Sequence, residues 1–421
     1  MGLFGFFVIL GLIAFSTYKS SNVTANSSPT VIWGTIDKTI FDNYLDAYKQ
    51  NESLSFNINY VYKSLDTIDG QLVEAIATGK APDVILIPQT LEKRYLDKVF
   101  FIPVTSLPER TFTNTFVQES SLYIQPSGFF ALPFFVDPLV MYWNKDMFLN
   151  ADIVLPPSKW SDFQLEASKI SATDNSGNIN QSFASLGTFS NINNAKDILS
   201  AMILQTGNSI VSEKDNYFVS ALNDDSSANV LSPVSAALQF FTDYSNPNKT
   251  VYSWNNSLPL SKQAFLSDNL AIYFGFASEY QDIKDKNPNL NFDVAVLPQI
   301  LGAKSNATFA NIYGFAILKT AQNISDKLNI ILSLVSSNSI STLMQFINAA
   351  PSRNDIIATG STDPVKTVFY NSAIISKGWI DPDINQTNKI FSDMISNITS
   401  GKIDISSSVT KASTEIDKLF K

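Results

Sequence analysis

Three observations in the sequence predict an α/β protein of two domains. Strand and helix patterns alternate through residues 30–87 in the order strand, helix, strand, helix, strand, which is the mark of parallel α/β architecture. The last of these patterns, Ala81–Ile87 (APDVILI), is an apolar strand bounded by turn signals. The chain has 421 residues, more than one hydrophobic core ordinarily serves.

The elements follow in order. Thr30–Gly34 (TVIWG) reads as a short buried strand. Ile40, Tyr44, Leu45 and Tyr48 fall at helical spacing, and Phe56–Tyr62 (FNINYVY) alternates like a strand. Leu72–Ala77 reads as a helix closed by Gly79 as a left-handed cap. Val140–Trp143 is apolar and gives way at Asn144-Lys145-Asp146 to a short helix, and Pro156-Pro157 leads into a helix start at Lys159–Asp162. Residues 175–225 are rich in Asn, Ser and Asp, which predicts loops around a helix at Ala195–Leu204. No repeat at solenoid periods is visible.

Composition narrows the chemistry. Hydrophobic residues make up 45% and charged residues 16% of the chain, normal for a globular protein, while 12% aromatics with 31 Phe is high. Core packing accounts for most of them; Trp and Tyr on loops would suit stacking on sugar rings. A net charge of −9 and no Lys/Arg cluster argue against nucleic acid as a partner. With no cysteine, disulfides, thiolate metal sites and cysteine nucleophiles are excluded. With no histidine, Ser-His-Asp triads, histidine bases and nearly all catalytic zinc sites go too. No cofactor is expected. Only carboxylate chemistry would remain to an enzyme, and no Asp/Glu pair declares itself.

The N-terminal run Gly2–Phe15 is apolar and uncharged, shorter than the roughly 20 residues that cross a bilayer. Residues 1–18 are expected to be a secretory signal or membrane anchor, and residues 19–28 a polar linker. The expected location is extracytoplasmic, tethered to the outer face of the cytoplasmic membrane or secreted.

The stretch FALPFFVDPLVMYWNKDMF at 130–148, with KWSD at 159–162, resembles a segment of the extracellular solute-binding proteins, the ligand-capturing subunits of ABC importers. Further pieces resemble the same family in the family's order: Glu74–Pro88, Phe265–Gly275, Asp293–Pro298, Ile312–Ile317 and Pro351–Arg353. Together they span about residues 30–420. The departures are Asn269 where the family usually has Gly, and the missing lipid-anchor cysteine. The resemblance implies a two-lobe periplasmic-binding-protein-like fold of type II. Each lobe would be a mostly parallel sheet flanked by helices, with a cleft between. Lobe one would take residues 29–134 and 300–345, and lobe two 135–299 and 346–421. It implies capture of a small molecule by lobe closure, with hinges near Phe135–Val136 and Leu297–Pro298, and delivery to a membrane permease. A monomer is the default.

Ligands of open α/β sheets settle outside the carboxyl ends of the strands, which directs attention to loops. After the first strand, Trp33 offers a stacking surface, Asp37 an acceptor and Lys38 a donor for sugar hydroxyls. Asp37 and Lys38 also fall on positions matching sugar contacts of maltose-type binding proteins. Trp33 could instead be buried, and Asp37 a helix cap. Gln89 could meet ligand or cap the helix near Leu91. Asp137, where the resemblance puts the crossing between lobes, needs a ligand hydroxyl or a backbone amide beside Phe134 and Phe135. Trp254, in an Asn/Ser-rich loop, is a stacking candidate. Phe276 and Glu279 lie in a segment resembling one where an aromatic ring and backbone amides meet ligand, with complementarity to a helix N-terminus the other role for Glu279. Tyr313 sits where the family often places a cleft-facing aromatic beside Gly. Arg353 could clasp a ligand or link the lobes. Carbohydrate is the leading ligand class; peptide, polyamine, ferric ion, a surface sensor without a permease, and a carboxylate glycosidase are the alternatives.

Overall fold

The computed structural model describes residues 29–52, 57–215, 217–222 and 232–421. The expected signal or anchor at 1–18 and the linker at 19–28 lie outside the described residues. No helix among the described residues is long and apolar enough to cross a membrane.

Strand β1 (Thr30–Gly34) pairs in parallel with β2 (Ile58–Tyr62) on one side and β3 (Val84–Pro88) on the other. Helices Lys38–Glu52 and Leu65–Ala77 connect them. The second helix begins seven residues before the expected Leu72, its buried stripe already starting at Ile68 and continuing through Leu72 and Ala75. It ends as expected: Gly79 takes φ 69° and the Lys80 amide closes the turn on the Ala75 carbonyl at 2.8 Å. On the inner face Phe41 stacks on Tyr60 at 3.9 Å between centroids, fixing the first helix to the sheet.

The next two long strands are the frame of the molecule. β4 (Leu132–Asn144) is buried along its whole length. It runs through the sequence segment LPFFVDPLVMYWN, apolar on both faces apart from Asp137 and the terminal Asn144. Asn144 then caps the helix Lys145–Asn150, its side chain accepting from the Met147 amide at 3.0 Å. Beyond it come β5 (Ile179–Ala184), β6 (Leu270–Phe276) and β7 (Thr308–Leu318).

The main sheet reads β2-β1-β3-β7-β4-β6-β5, with Ala172–Thr173 at the far edge. The β1–β3 group and the β5/β6 pair are parallel, while β7 and β4 are antiparallel to their neighbours. The two parallel groups are the sheets of the two lobes. They are continuous with one another, because β4 and β7 pair across the junction.

Where the family usually has Gly at 269, the left-handed residue is its neighbour Asp268, at φ 59°. Asp is among the few non-glycine residues that tolerate this region, so the departure in sequence costs the turn little.

Helices Ala195–Gln205, Pro233–Asp243, Ile384–Thr399 and Ile405–Leu419 form a layer of the second lobe. One buried ion pair joins it: Lys196 Nζ lies 2.8 Å from Asp381 Oδ2 and 3.1 Å from the Thr387 hydroxyl. The ammonium is also 5.6 Å from the centre of the Trp379 ring. Asp381 takes further bonds from Thr387 and from the Asp383 amide. Its charge is thus met by an ammonium, a hydroxyl and an amide, as a buried charge requires; burial, with this charge adding to it, pushes the nearby Asp197 carboxyl up. Asp381→Ala should destabilise the fold by about 3–5 kcal/mol by removing the hydrogen-bonded partner of buried Lys196, measured by chemical denaturation.

At the junction of the lobes the 3₁₀ segment Gln118–Tyr123 packs on Ser376–Gly378. Glu119 is buried there, so close to Gly378 that a β-carbon on it would stand 2.7 Å from Glu119 Oε1. Burial pushes the Glu119 carboxyl from its ordinary 4.5 up to about 8, against the pull of the Ser376 hydroxyl. The folded protein thus keeps a proton that the unfolded chain releases. The stability linked to it is complete below about pH 4.5 and drains away as the pH rises to about 8. Glu119→Gln should leave the melting temperature at pH 5 nearly unchanged and raise it at pH 8.5 by about 2–4 °C, read by calorimetry at the two pH values.

Candidate ligand cleft

The pairing of β4 with β7 is in register at Phe135/Tyr313 and Asp137/Asn311. Alternate residues of a strand share a face, so Phe135, Asp137 and Leu139 line up beside Tyr313, Asn311 and Phe309. On the far side of β4, Phe276 of β6 pairs with Leu139, which brings its ring 6.3 Å from that of Phe309. The result is a single surface at the crossing of the lobes, built from three strands. Phe135 and Tyr313 are stacked within it, 4.5 Å apart and 8° from parallel. Tyr313, Asn311 and Phe276 are its half-exposed members.

The ladder shifts register between Tyr313 and Gly314, with Phe134 of β4 as the extra residue. A β-carbon on Gly314 would meet the Tyr123 ring at 2.8 Å and Ala131 Cβ at 2.9 Å, so only glycine lets β7 pass beneath Tyr123. The Tyr123 hydroxyl in turn donates to the Ile312 carbonyl at 2.7 Å.

Asp137 is 5% exposed. Its carboxylate accepts from the Ser278 amide at 2.9 Å and from the Ser278 hydroxyl at 2.6 Å, the backbone partner that the sequence offered as one of two choices. Burial raises its pKa from 3.8 to about 7; the Ser278 bonds oppose the rise and nearby Glu279 adds to it. Burial also holds the Tyr313 hydroxyl above its ordinary range, with Asp137 reinforcing the shift.

Glu279 is committed to the protein. It accepts from the Phe276 amide at 2.9 Å, from Tyr273 at 2.8 Å and from Asn194 at 3.2 Å, and it pairs with Lys262 at 2.8 Å. The Phe276 carbonyl receives the Tyr142 hydroxyl at 2.7 Å. The turn carrying the Phe276 ring is therefore held on both sides. Gly275 before it has no room for a side chain: its β-carbon would fall 2.6 Å from Tyr273 and 2.8 Å from Glu279 Oε1.

Gln89 is fully buried and bridges β3 to β7, donating to the Ala310 carbonyl at 3.0 Å and accepting from the Ile312 amide at 2.7 Å. Asp37 caps the helix that starts at Lys38, accepting from the Thr39 amide at 2.8 Å and the Ile40 amide at 3.3 Å. Lys38 is exposed and pairs with Asp42 one turn on, at 2.6 Å. Trp33 is half-buried, and the Lys63 ammonium stands 4.0 Å from its ring centre, covering one face.

Two candidates have other roles. Trp254 is not an exposed loop residue: it is fully buried in the second lobe, its Nε1 donating to Asn191 at 3.2 Å. Arg353 reaches the first lobe through the Phe116 ring, 5.9 Å away, and the Val335 carbonyl rather than by a salt bridge. It forms a forked pair with its near neighbour Asp355, at 2.9 and 3.0 Å, and donates to the Val335 carbonyl at 3.2 Å. The structure thus gathers Gln89, Asp137, Phe276, Glu279 and Tyr313 at the crossing, sets Arg353 two residues beyond Pro351, which pairs with Phe135, and leaves Trp254 apart. It adds Phe135, Phe309, Asn311 and Ser278. The period-two rule applied backward from Tyr313 would have found Phe309 and Asn311.

No group of three or more His, Cys, Asp or Glu side chains able to hold a metal ion occurs among the described residues. What the surface offers is stacked and tilted aromatic rings beside amide and hydroxyl groups, suited to a neutral polar ligand with apolar faces.

Comparison with known proteins gives the fold and the family. A protein of Brucella abortus (strain 2308) whose name describes it only as a binding protein is 24% identical over 259 residues, 59% of this chain. The match spans 57% of that relative's length, and a Brucella suis counterpart matches equally. Among solved structures, the cyclic α-maltosyl-1,6-maltose binding protein of Arthrobacter globiformis superposes with a TM-score of 0.75 at 16% identity. That alignment covers 94% of this chain and all of the other. The GacH receptor of Streptomyces glaucescens, solved unliganded and with acarbose, gives 0.70 at 14% identity, covering 94% of this chain and 98% of its own. A cyclo/maltodextrin-binding protein complexed with maltotetraose gives 0.73 at 13% with the same coverage. These likenesses show the two-lobe fold. The sequence model of the bacterial extracellular solute-binding proteins matches residues 36–327, and the chain belongs to that family.

Proposed function

We propose that this chain captures a sugar or oligosaccharide outside the cytoplasm and delivers it to the membrane permease of an ABC importer. The observation that carries the proposal is the Phe135/Tyr313 stack with Phe276, set beside Asn311 and Ser278 on the crossing strands. Sugar rings present apolar faces to aromatic side chains and hydroxyls to their edges, and this surface matches both. The proteins of like fold named for maltotetraose, acarbose and cyclic maltosyl-maltose support the same ligand class.

Within this reading Tyr313, Phe276, Asn311 and Ser278 contact ligand, and Asp137 contacts it through its free lone pairs. Gln89, Asp37 and Glu279 hold the cleft in shape. Closure brings contacts from both lobes onto the ligand, which favours the closed state by that difference in contact. The lobes divide as 29–134 with 300–345 and 135–299 with 346–421. The Tyr142 and Tyr273 hydroxyls are committed to the Phe276 carbonyl and to Glu279, which weighs against a tyrosine-ligated ferric ion. The apolar run Gly2–Phe15 supports retention at the outer face of the membrane. The net charge of −9 supports a protein that works without nucleic acid, and the chain is read as a monomeric, non-catalytic receptor.

Titration calorimetry with maltotetraose, a cyclodextrin, an amino-acid mixture and spermidine tests the proposal. Binding confined to a saccharide is expected, whereas binding confined to spermidine or an amino acid would overturn it. Tyr313→Ala and Phe276→Ala should each weaken the saccharide about tenfold or more, ~1.4 kcal/mol. Lys38→Ala, which removes only an exposed pair with Asp42, should stay within about twofold of the parent.

A further inference from the structure

Just beyond the carboxyl end of β3, where Pro88 pairs with Tyr313, the two lobes also meet through side chains of helix Glu92–Tyr95 in the first lobe. This helix follows the carboxyl end of β3, so it stands at the cleft rim. Across from it, in the second lobe, lie the strand Tyr217–Ser220 and the end of helix Ile405–Leu419. Phe218 and Phe420 from these elements pack together, with centroids 5.7 Å apart. Their support is firm: the Ser220 amide donates to Asp417 at 2.6 Å, and the Ser220 and Ser413 hydroxyls are 3.0 Å apart.

The Lys93 ammonium lies 5.7 Å from the Phe218 ring centre and 6.0 Å from that of Phe420. Among the described residues no carboxylate is within ion-pair distance of it; the two rings are its near partners. All three side chains are half-buried, a setting in which a cation over aromatic faces is partly desolvated and attracted by them. A weaker electrostatic attraction between the lobes accompanies it, although the Arg94 guanidinium is itself paired with Asp69. Asp383, at the start of helix Ile384–Thr399, is held below its ordinary carboxylate range. Burial works against this, the Gln386 and Asn385 bonds for it, and Arg94 of the first lobe adds to them.

We propose that Lys93 is a latch: its ammonium engages the Phe218–Phe420 pair from one lobe to the other and stabilises the closed arrangement of the lobes with or without ligand. The inference rests on the two-lobe receptor reading for its purpose, and on the geometry alone for its existence. These residues touch no part of the proposed sugar surface, so the latch tunes affinity through the closed population and leaves specificity alone. The apparent dissociation constant of any ligand that needs the closed form scales inversely with that population.

The chain has no cysteine, so a pair of introduced ones labels it uniquely. Asp66→Cys and Lys389→Cys, both at exposed positions in opposite lobes, carry a donor and an acceptor dye for distance measurements on the full chain without ligand. Lys93→Gln and Phe420→Leu should each raise the open-to-closed ratio about three- to tenfold, while Lys93→Arg keeps the parent distribution. Unchanged distances in both Lys93→Gln and Phe420→Leu would overturn the latch. Lys93→Gln alters a partly exposed side chain of a short surface helix, so it keeps the test decisive even if Phe420→Leu melts early. Maltotetraose titrations of the same variants separate the two readings. A chain that binds no saccharide but shifts its distances retains the latch and loses the sugar; one that binds saccharide with unmoved distances does the reverse.

Discussion

The antiparallel ladder between β4 and β7, running from Leu132/Phe315 to Pro138/Ala310, is the constraint on which the rest of the structure depends. Two strands cross from one lobe to the other and remain hydrogen-bonded as they do so. Because buried backbone groups must be paired, the crossing cannot unravel into loose linkers without exposing amides of strands that are buried along most of their length. The same ladder fixes which side chains share a face, since strand periodicity is two. Placing Phe135 opposite Tyr313 therefore also places Asp137 opposite Asn311. A one-residue slip would turn every one of these groups away from the cleft.

Around this frame the polar residues are committed mainly to shape. Asp137 holds Ser278, Glu279 holds the Phe276 turn, and Gln89 ties β3 to β7. Each bond fixes a loop or strand end at the surface where rings are presented. Such preorganisation lowers the entropy lost when a ligand is bound. It also explains why a chain with so many candidate hydrogen-bonding residues leaves few of them free: a cleft lined with uncommitted side chains would have to order them at each encounter.

Local patterns were legible where periodicity and caps govern. The helix at Ala195, the Gly79 cap, the Asn144 helix start and β1 to β3 all follow from spacing or single residues. The crossing of the lobes was not legible that way and came through resemblance, because discontinuous lobes are made by pairings between residues some 170 positions apart, as in Asp137 with Asn311. Trp254 illustrates the remaining failure. Its neighbours are Asn and Ser, which reads as an exposed loop, yet Asn191, distant in sequence, supplies the partner that lets the indole be buried. Gln89 and Glu279 are similar: their residue types advertise hydrogen bonding, and only the tertiary structure says to whom. Lys93 was invisible, since nothing local couples it to Phe218 or Phe420.

The continuity of the sheet has a mechanical consequence. In a protein whose lobes are joined by flexible tethers, a protease can sever the tethers and release two halves that fold and melt separately. Here the joint is itself the middle of a sheet, so a nick in any surface loop leaves the lobes stitched together by β4 and β7. Any relative motion of the lobes must pass through that shared sheet. The two lobes are in this sense one cooperative body with a slot in it, and heat should dismantle both at a single transition.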